Sequence, residues 1–272
     1  MRLTLALLVA GALAAAGTAL ARPSARLDEG IRSVALGGKV HALVVLPPDY
    51  ATSGKRYPVV YFLHGLPAGP TAYRSARWLE DDVARLGGAI LVRPQGARPG
   101  DTDPEYRNWG AGRDWETYVA RELPAYIDAH FRTIANRRGR AIMGLSAGGY
   151  GAAAIGLAHL DRFSVVESWS GYFHPTDPTG WKTIAAGPHS DVHRLIVRLA
   201  ADERRRPTFL GFYVGRGDDR FRDENEQLNR ELNAARIPHA FTEYPGGHET
   251  SLWRAHALAW LRLGLRHLAP AA

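Results

Sequence analysis

Residues 140–151 read Arg140-Ala141-Ile142-Met143-Gly144-Leu145-Ser146-Ala147-Gly148-Gly149-Tyr150-Gly151, and the reading of the whole chain turns on this stretch. Arg140–Gly144 is a short apolar run of the kind that forms a strand buried on both faces. Ala147–Leu157 reads as a helix whose small residues, Gly149, Gly151, Ala152 and Ala153, allow close packing on a sheet. Between the two stands Gly144-Leu145-Ser146-Ala147-Gly148, a G-x-S-x-G pattern. A serine on so tight a strand-to-helix turn has a strained backbone and needs tiny neighbours two positions either side. Its hydroxyl then stands at a helix N-terminus, where backbone N–H groups can stabilise an oxyanion. Three fixed positions in five residues say little alone, because Gly and Ser are common. The strand before and the helix after make Ser146 the candidate nucleophile rather than part of a Gly-rich helix start.

Outward from this turn the chain alternates. Val40–Leu46, Tyr57–His64, Ala89–Arg93, Phe163–Ser168, Phe209–Val214 and Ala240–Tyr244 read as strands. Ala72–Leu86, Trp115–Phe131, Glu224–Ala235 and Leu252–His267 have helical spacing, with Asp114 placed to cap the second of them. Strands alternating with such helices imply an α/β fold with a mostly parallel central sheet covered on both faces. Pro99–Arg113 and Tyr172–Arg206 break the rhythm and are expected to shape a pocket.

A serine alcohol needs a base and an orienting acid. In a sheet of this kind they follow the nucleophile in the order acid, then His, each after a strand. Among eleven histidines, His248 lies directly after the last expected strand, in Tyr244-Pro245-Gly246-Gly247-His248. His64 comes too early in the order. The acid is expected after Phe209–Val214, in Gly215-Arg216-Gly217-Asp218-Asp219. Asp218 is taken as the acid and Asp219 as the runner-up, since neighbouring side chains point apart. The oxyanion donors are expected to be the N–H groups of Ala147 and of Leu66, because Pro67 in the His64-Gly65-Leu66-Pro67 loop has none. His64, Gly65, Trp109, Tyr172 and Trp181 are the candidate substrate-binding residues. His189 and His193 superficially resemble a metal pair, but no third ligand is evident beside them. They read as an exposed helix face, and no metal is expected.

Composition narrows the function classes. Cysteine is absent, which removes disulfides, thiol nucleophiles and iron–sulfur clusters. The formal charge is +7, with 34 basic residues against 27 acidic ones. These are scattered, and the densest run, Arg204-Arg205-Arg206, follows Asp202-Glu203, as at a solvated helix end. No nucleic-acid partner is expected. Residues 1–21 begin Met1-Arg2, continue uncharged and Leu/Ala-rich, and end Ala19-Leu20-Ala21, the pattern of a signal peptide cleaved after Ala21. Residues 22–272 are then expected to form one domain, secreted or periplasmic, with no integral membrane segment after cleavage.

Val59-Val60-Tyr61-Phe62-Leu63-His64-Gly65, Trp115-Glu116-Thr117-Tyr118-Val119-Ala120-Arg121-Glu122-Leu123, the Gly144–Ala152 turn and Tyr244-Pro245-Gly246-Gly247-His248 together resemble the esterase D family of α/β-hydrolases. That family includes feruloyl esterases, S-formylglutathione hydrolases and antigen 85 mycolyltransferases. The resemblance implies an α/β-hydrolase fold and a Ser–Asp–His hydrolase acting on esters or thioesters without cofactor. The substrate is then a small-molecule or polysaccharide-linked ester. An export signal argues against glutathione thioesters, and Asp218 departs from the glutamate used by antigen 85 proteins. The leading expectation is a secreted serine carboxylesterase. The alternative is an acyltransferase that delivers the same acyl group to an alcohol or sugar.

Overall fold

The computed structural model describes residues 22–101, 105–177, 182–202 and 204–272. The expected leader, residues 1–21, and Trp181 lie outside the described residues. Among the described residues eight strands form one sheet: β1 (Ala25–Ser33), β2 (Gly38–Leu46), β3 (Val59–Leu63), β4 (Ile90–Pro94), β5 (Arg140–Leu145), β6 (Val165–Trp169), β7 (Phe209–Gly215) and β8 (Ala240–Tyr244). Their order is β1-β2-β4-β3-β5-β6-β7-β8. β1 pairs antiparallel with β2, and β2 with β4. Every pairing from β4 through to β8 is parallel.

Helices are α1 (Tyr50–Ser53), α2 (Trp78–Leu86), α3 (Trp115–Thr117), α4 (Leu123–His130), α5 (Ala147–Ala158), α6 (Val192–Asp202), α7 (Arg222–Ala234) and α8 (Thr250–Leu265). Alternate residues of each strand feed opposite cores, as the two-residue period of a strand requires. Val59, Tyr61 and Leu63 of β3 join one core with residues of α3 to α7, including Trp115, Leu123, Ile155, Leu195 and Leu228. Val60 and Phe62 join the other with Leu79 and Val83 of α2 and Trp260 and Leu261 of α8. β3 to β7 are therefore covered on both faces, which explains their near-continuous apolar sequences.

Four readings of the sequence need correction. Ala72–Leu86 is not one helix: Ala72–Arg74 is a single 3₁₀ turn, and Ala76 at φ +53° breaks the path before α2 begins at Trp78. Trp115–Phe131 buries the face its spacing implies, but a π turn, Tyr118–Glu122, separates α3 from α4. Pro124 has no N–H to offer the carbonyl one turn back, and Leu123 N–H instead reaches the Tyr118 carbonyl, five residues earlier. Asp114 occupies the N-cap position without capping, since its carboxylate accepts from the Gly110 N–H at 3.1 Å. Tyr172–Arg206 is not wholly irregular either; α6 lies in it, with Val192, Leu195, Ile196 and Leu199 buried at helical spacing.

Candidate active site

Ser146 stands between the end of β5 and the first residue of α5, at φ +54° and ψ −124°. That conformation is costly for a residue with a Cβ and persists only where surroundings enforce it. Here the enforcement is close packing. A Cβ on Gly148 would lie 2.1 Å from the Leu63 carbonyl oxygen, and one on Gly65 would lie 3.0 Å from Ser146 Cβ. Small residues thus let the turn sit against β3 and let the following loop pass beside the serine.

The Ser146 hydroxyl lies 2.8 Å from His248 Nε2, and His248 Nδ1 lies 2.8 Å from Asp218 Oδ2. A carboxylate only accepts, so Nδ1 carries the imidazole proton and Nε2 is free to accept from the serine hydroxyl. Asp218 is 1% exposed, whereas Asp219 points to solvent. The other Asp218 oxygen, Oδ1, accepts from the Arg220 N–H at 3.3 Å. The loops carrying acid and imidazole leave the carboxyl ends of adjacent strands and are joined by Gly217 N–H donating to the Gly246 carbonyl at 2.8 Å. The His248 ring is flanked edge-on by Phe221 at 5.1 Å and Trp253 at 5.2 Å.

A cavity of about 290 Å³ opens onto these residues, and Leu66, Tyr172, Phe221 and Trp253 supply much of its wall. Arg220, Glu249 and Thr250 add polar groups to its lining. Tyr172 is held from three sides. Its ring stacks on Tyr150 at 5.0 Å and on Phe221 at 4.9 Å, and its hydroxyl donates to Glu105. Ala147 N–H is at the first position of α5, so it has no partner within the helix.

The candidate substrate-binding residues divide. Tyr172 lines the cavity, and Gly65 adjoins Ser146. His64 does not face the cavity. It is buried with its ring against Tyr106 at 5.6 Å, its Nδ1 lies 2.9 Å from the Gly65 carbonyl, and burial pushes its pKa down to about 4. Trp109 packs on the core under the Arg107 guanidinium, 4.7 Å from the ring centre, and does not line the cavity. Sequence reasoning passed over Arg220, Phe221 and Trp253, although each flanks the acid or the imidazole within a few positions, which was the available signal. His189 and His193 do not share one helix face. His189 precedes α6 and lies 2.8 Å from Glu116, while His193 Nδ1 lies 2.6 Å from Glu231.

A family model described as "Putative esterase" matches residues 33–262. Esterase Rv1288 of Mycobacterium tuberculosis is 29% identical over 246 residues, covering 79% of this chain and 53% of that protein. The chain therefore spans about half the length of the first relatives it matches. S-formylglutathione hydrolase of Paracoccus denitrificans is 28% identical, covering 57% of this chain and 60% of that one. A solved ferulic acid esterase superposes with a TM-score of 0.74 at 25% identity, over 90% of this chain and 98% of the other. The sheet order and these neighbours make the fold that of an α/β-hydrolase.

Proposed function

The chain belongs to the esterase family, and from that premise we propose that it is a serine carboxylesterase acting through Ser146, His248 and Asp218. The continuous hydrogen-bonded line from Ser146 through His248 to Asp218, 2.8 Å at each step, carries this reading. Ser146 Oγ attacks the ester carbonyl carbon while its proton passes to His248 Nε2. The carbonyl oxygen becomes an oxyanion, and the N–H groups of Ala147 and Leu66 stabilise it. The C–O bond to the alcohol then breaks, and the alcohol leaves with the proton from His248. Water enters, gives a proton to the same nitrogen and attacks the acyl-serine; collapse releases the acid and restores the hydroxyl. Asp218 holds the imidazole tautomer and stabilises the imidazolium through both halves.

The aromatic wall of Tyr172, Phe221 and Trp253 supports an aryl or other compact acyl group, for which a cavity of about 290 Å³ is adequate. The ferulic acid esterase likeness points the same way. Export rests on residues 1–21; among the described residues no helix is long and apolar enough to cross a membrane.

A fluorophosphonate probe tests the nucleophile directly. One adduct per chain, located by peptide mass on the segment holding Ser146, is the expected result. Labelling elsewhere, or none, overturns the assignment.

A further inference from the structure

We infer that Glu116, His159 and His189 form a second site, which binds a divalent cation of the zinc class and is separate from the serine centre. The three residues come from distant parts of the chain: α3, the residue that ends α5, and the segment that leads into α6. They converge closely. Glu116 Oε1 lies 2.8 Å from His159 Nε2 and 2.8 Å from His189 Nδ1, and the three donor atoms are all within 4.8 Å of one another. The two imidazoles meet edge to face, at 5.7 Å and 72°, so one nitrogen of each turns to the same carboxylate oxygen.

Zinc bonded to nitrogen or oxygen at about 2.0–2.1 Å in tetrahedral geometry sets its ligands about 3.3 Å apart. Each imidazole nitrogen, 2.8 Å from the carboxylate oxygen, needs about 0.5 Å of opening to reach that value, and the two nitrogens already lie within 4.8 Å of each other. Two of the ligands are firmly placed, since the side chains of His159 and Glu116 are 9% and 12% exposed. The third is reachable, with 43% of the His189 side chain exposed. A cavity of about 270 Å³, bordered by Glu116, His189 and Asn108, leaves room for water in a fourth position. Two imidazole nitrogens and one carboxylate oxygen suit zinc, cobalt, nickel or copper; magnesium and calcium prefer oxygen ligands throughout.

The site is remote from the chemistry. Ser146 stands at one end of α5 and His159 at the other, and its 12 residues span about 18 Å. A bound cation ties the segment before α6 to the far end of the nucleophile helix, and so acts as a clamp on that segment. The same carboxylate oxygen is the common hydrogen-bond acceptor of the two imidazoles, which holds the three side chains in one cluster.

Full-length protein treated with EDTA and dialysed is titrated with zinc chloride, with bound metal measured by equilibrium dialysis and unfolding followed by a thermal scan. One zinc per chain is expected, with Tm raised by about 5–10 °C at a hundredfold excess over Kd. Magnesium and calcium leave Tm unchanged. His189→Ala and, separately, Glu116→Gln weaken binding by at least about tenfold and remove the thermal shift, while His193→Ala retains both. Cobalt bound in place of zinc gives visible absorption that His189→Ala abolishes. Zinc uptake below one per chain at saturating metal overturns the inference, as does binding that survives unchanged in His189→Ala and Glu116→Gln.

Discussion

Gly144 and Gly148, two positions either side of Ser146, approach so closely that a Cβ on Gly144 would lie 2.2 Å from the Gly148 carbonyl oxygen. Real Cβ atoms do not come that near to backbone. The two glycines of the G-x-S-x-G pattern are thus a packing requirement of the turn, and the serine's strained backbone is its consequence.

Substitution at this turn is therefore expected to fail sterically. Gly148→Ala pushes a methyl group into the β3 backbone at Leu63. A loss of about 3 kcal/mol or more in urea denaturation is predicted, the scale of severe overpacking. Gly217→Ala is the milder comparison, because its new Cβ would lie 3.3 Å from the Gly246 carbonyl oxygen, a tight contact that a shift of a few tenths of an ångström relieves. A Gly148→Ala protein as stable as the parent contradicts this account of the turn.

Asp218 and Asp219 are adjacent in sequence and opposite in setting. Asp218→Asn is predicted to lower kcat by about 10⁴-fold, because the amide favours the wrong imidazole tautomer. Asp219→Asn, whose side chain faces solvent, should alter kcat less than about twofold. Steady-state kinetics on p-nitrophenyl acetate separates the two, and equal losses defeat the choice of acid.

Much of this arrangement was legible in the sequence because it is written locally. β3 and β5 are apolar runs, the serine turn is a run of glycines, and His248 follows its strand directly. What was not legible depends on partners distant in sequence. β1, Ala25–Ser33, is largely polar and becomes a strand by pairing with β2 along its whole length. Trp109 and Trp253 are equally aromatic, yet only Trp253 borders the cavity, since α8 brings it beside His248. His189 lies four residues from His193 in sequence, yet its carboxylate neighbour is Glu116, 73 positions earlier.

Glu167 gives a test of stability against pH. It is fully buried in β6, and burial pushes its pKa from an ordinary 4.5 to about 8. Between these values the folded protein keeps a proton that the unfolded chain has released. The unfolded state then binds fewer protons, so stability falls as pH rises, by up to about 5 kcal/mol across the window. Glu167→Gln removes that penalty. The variant's Tm advantage over the parent is predicted to grow from pH 5 to pH 8. An advantage that stays flat or reverses shows that Glu167 is ionised in the fold.

Trp253 borders the cavity at the start of α8. Trp253→Leu is expected to reduce kcat/KM for feruloyl esters by about tenfold, the scale of losing 1–2 kcal/mol of apolar contact. Acetyl esters, too small to reach the ring, should be affected far less. Equal losses across an acyl panel place the effect on His248 instead of on the substrate.

The central claim is that Ser146 is the nucleophile, and turnover of p-nitrophenyl acetate by Ser146→Ala tests it most directly. The side chain is small and 9% exposed, so the variant should unfold at the parent's Tm. Its kcat is predicted to fall by about 10⁴-fold or more. A folded Ser146→Ala protein with turnover near that of the parent would contradict the mechanism.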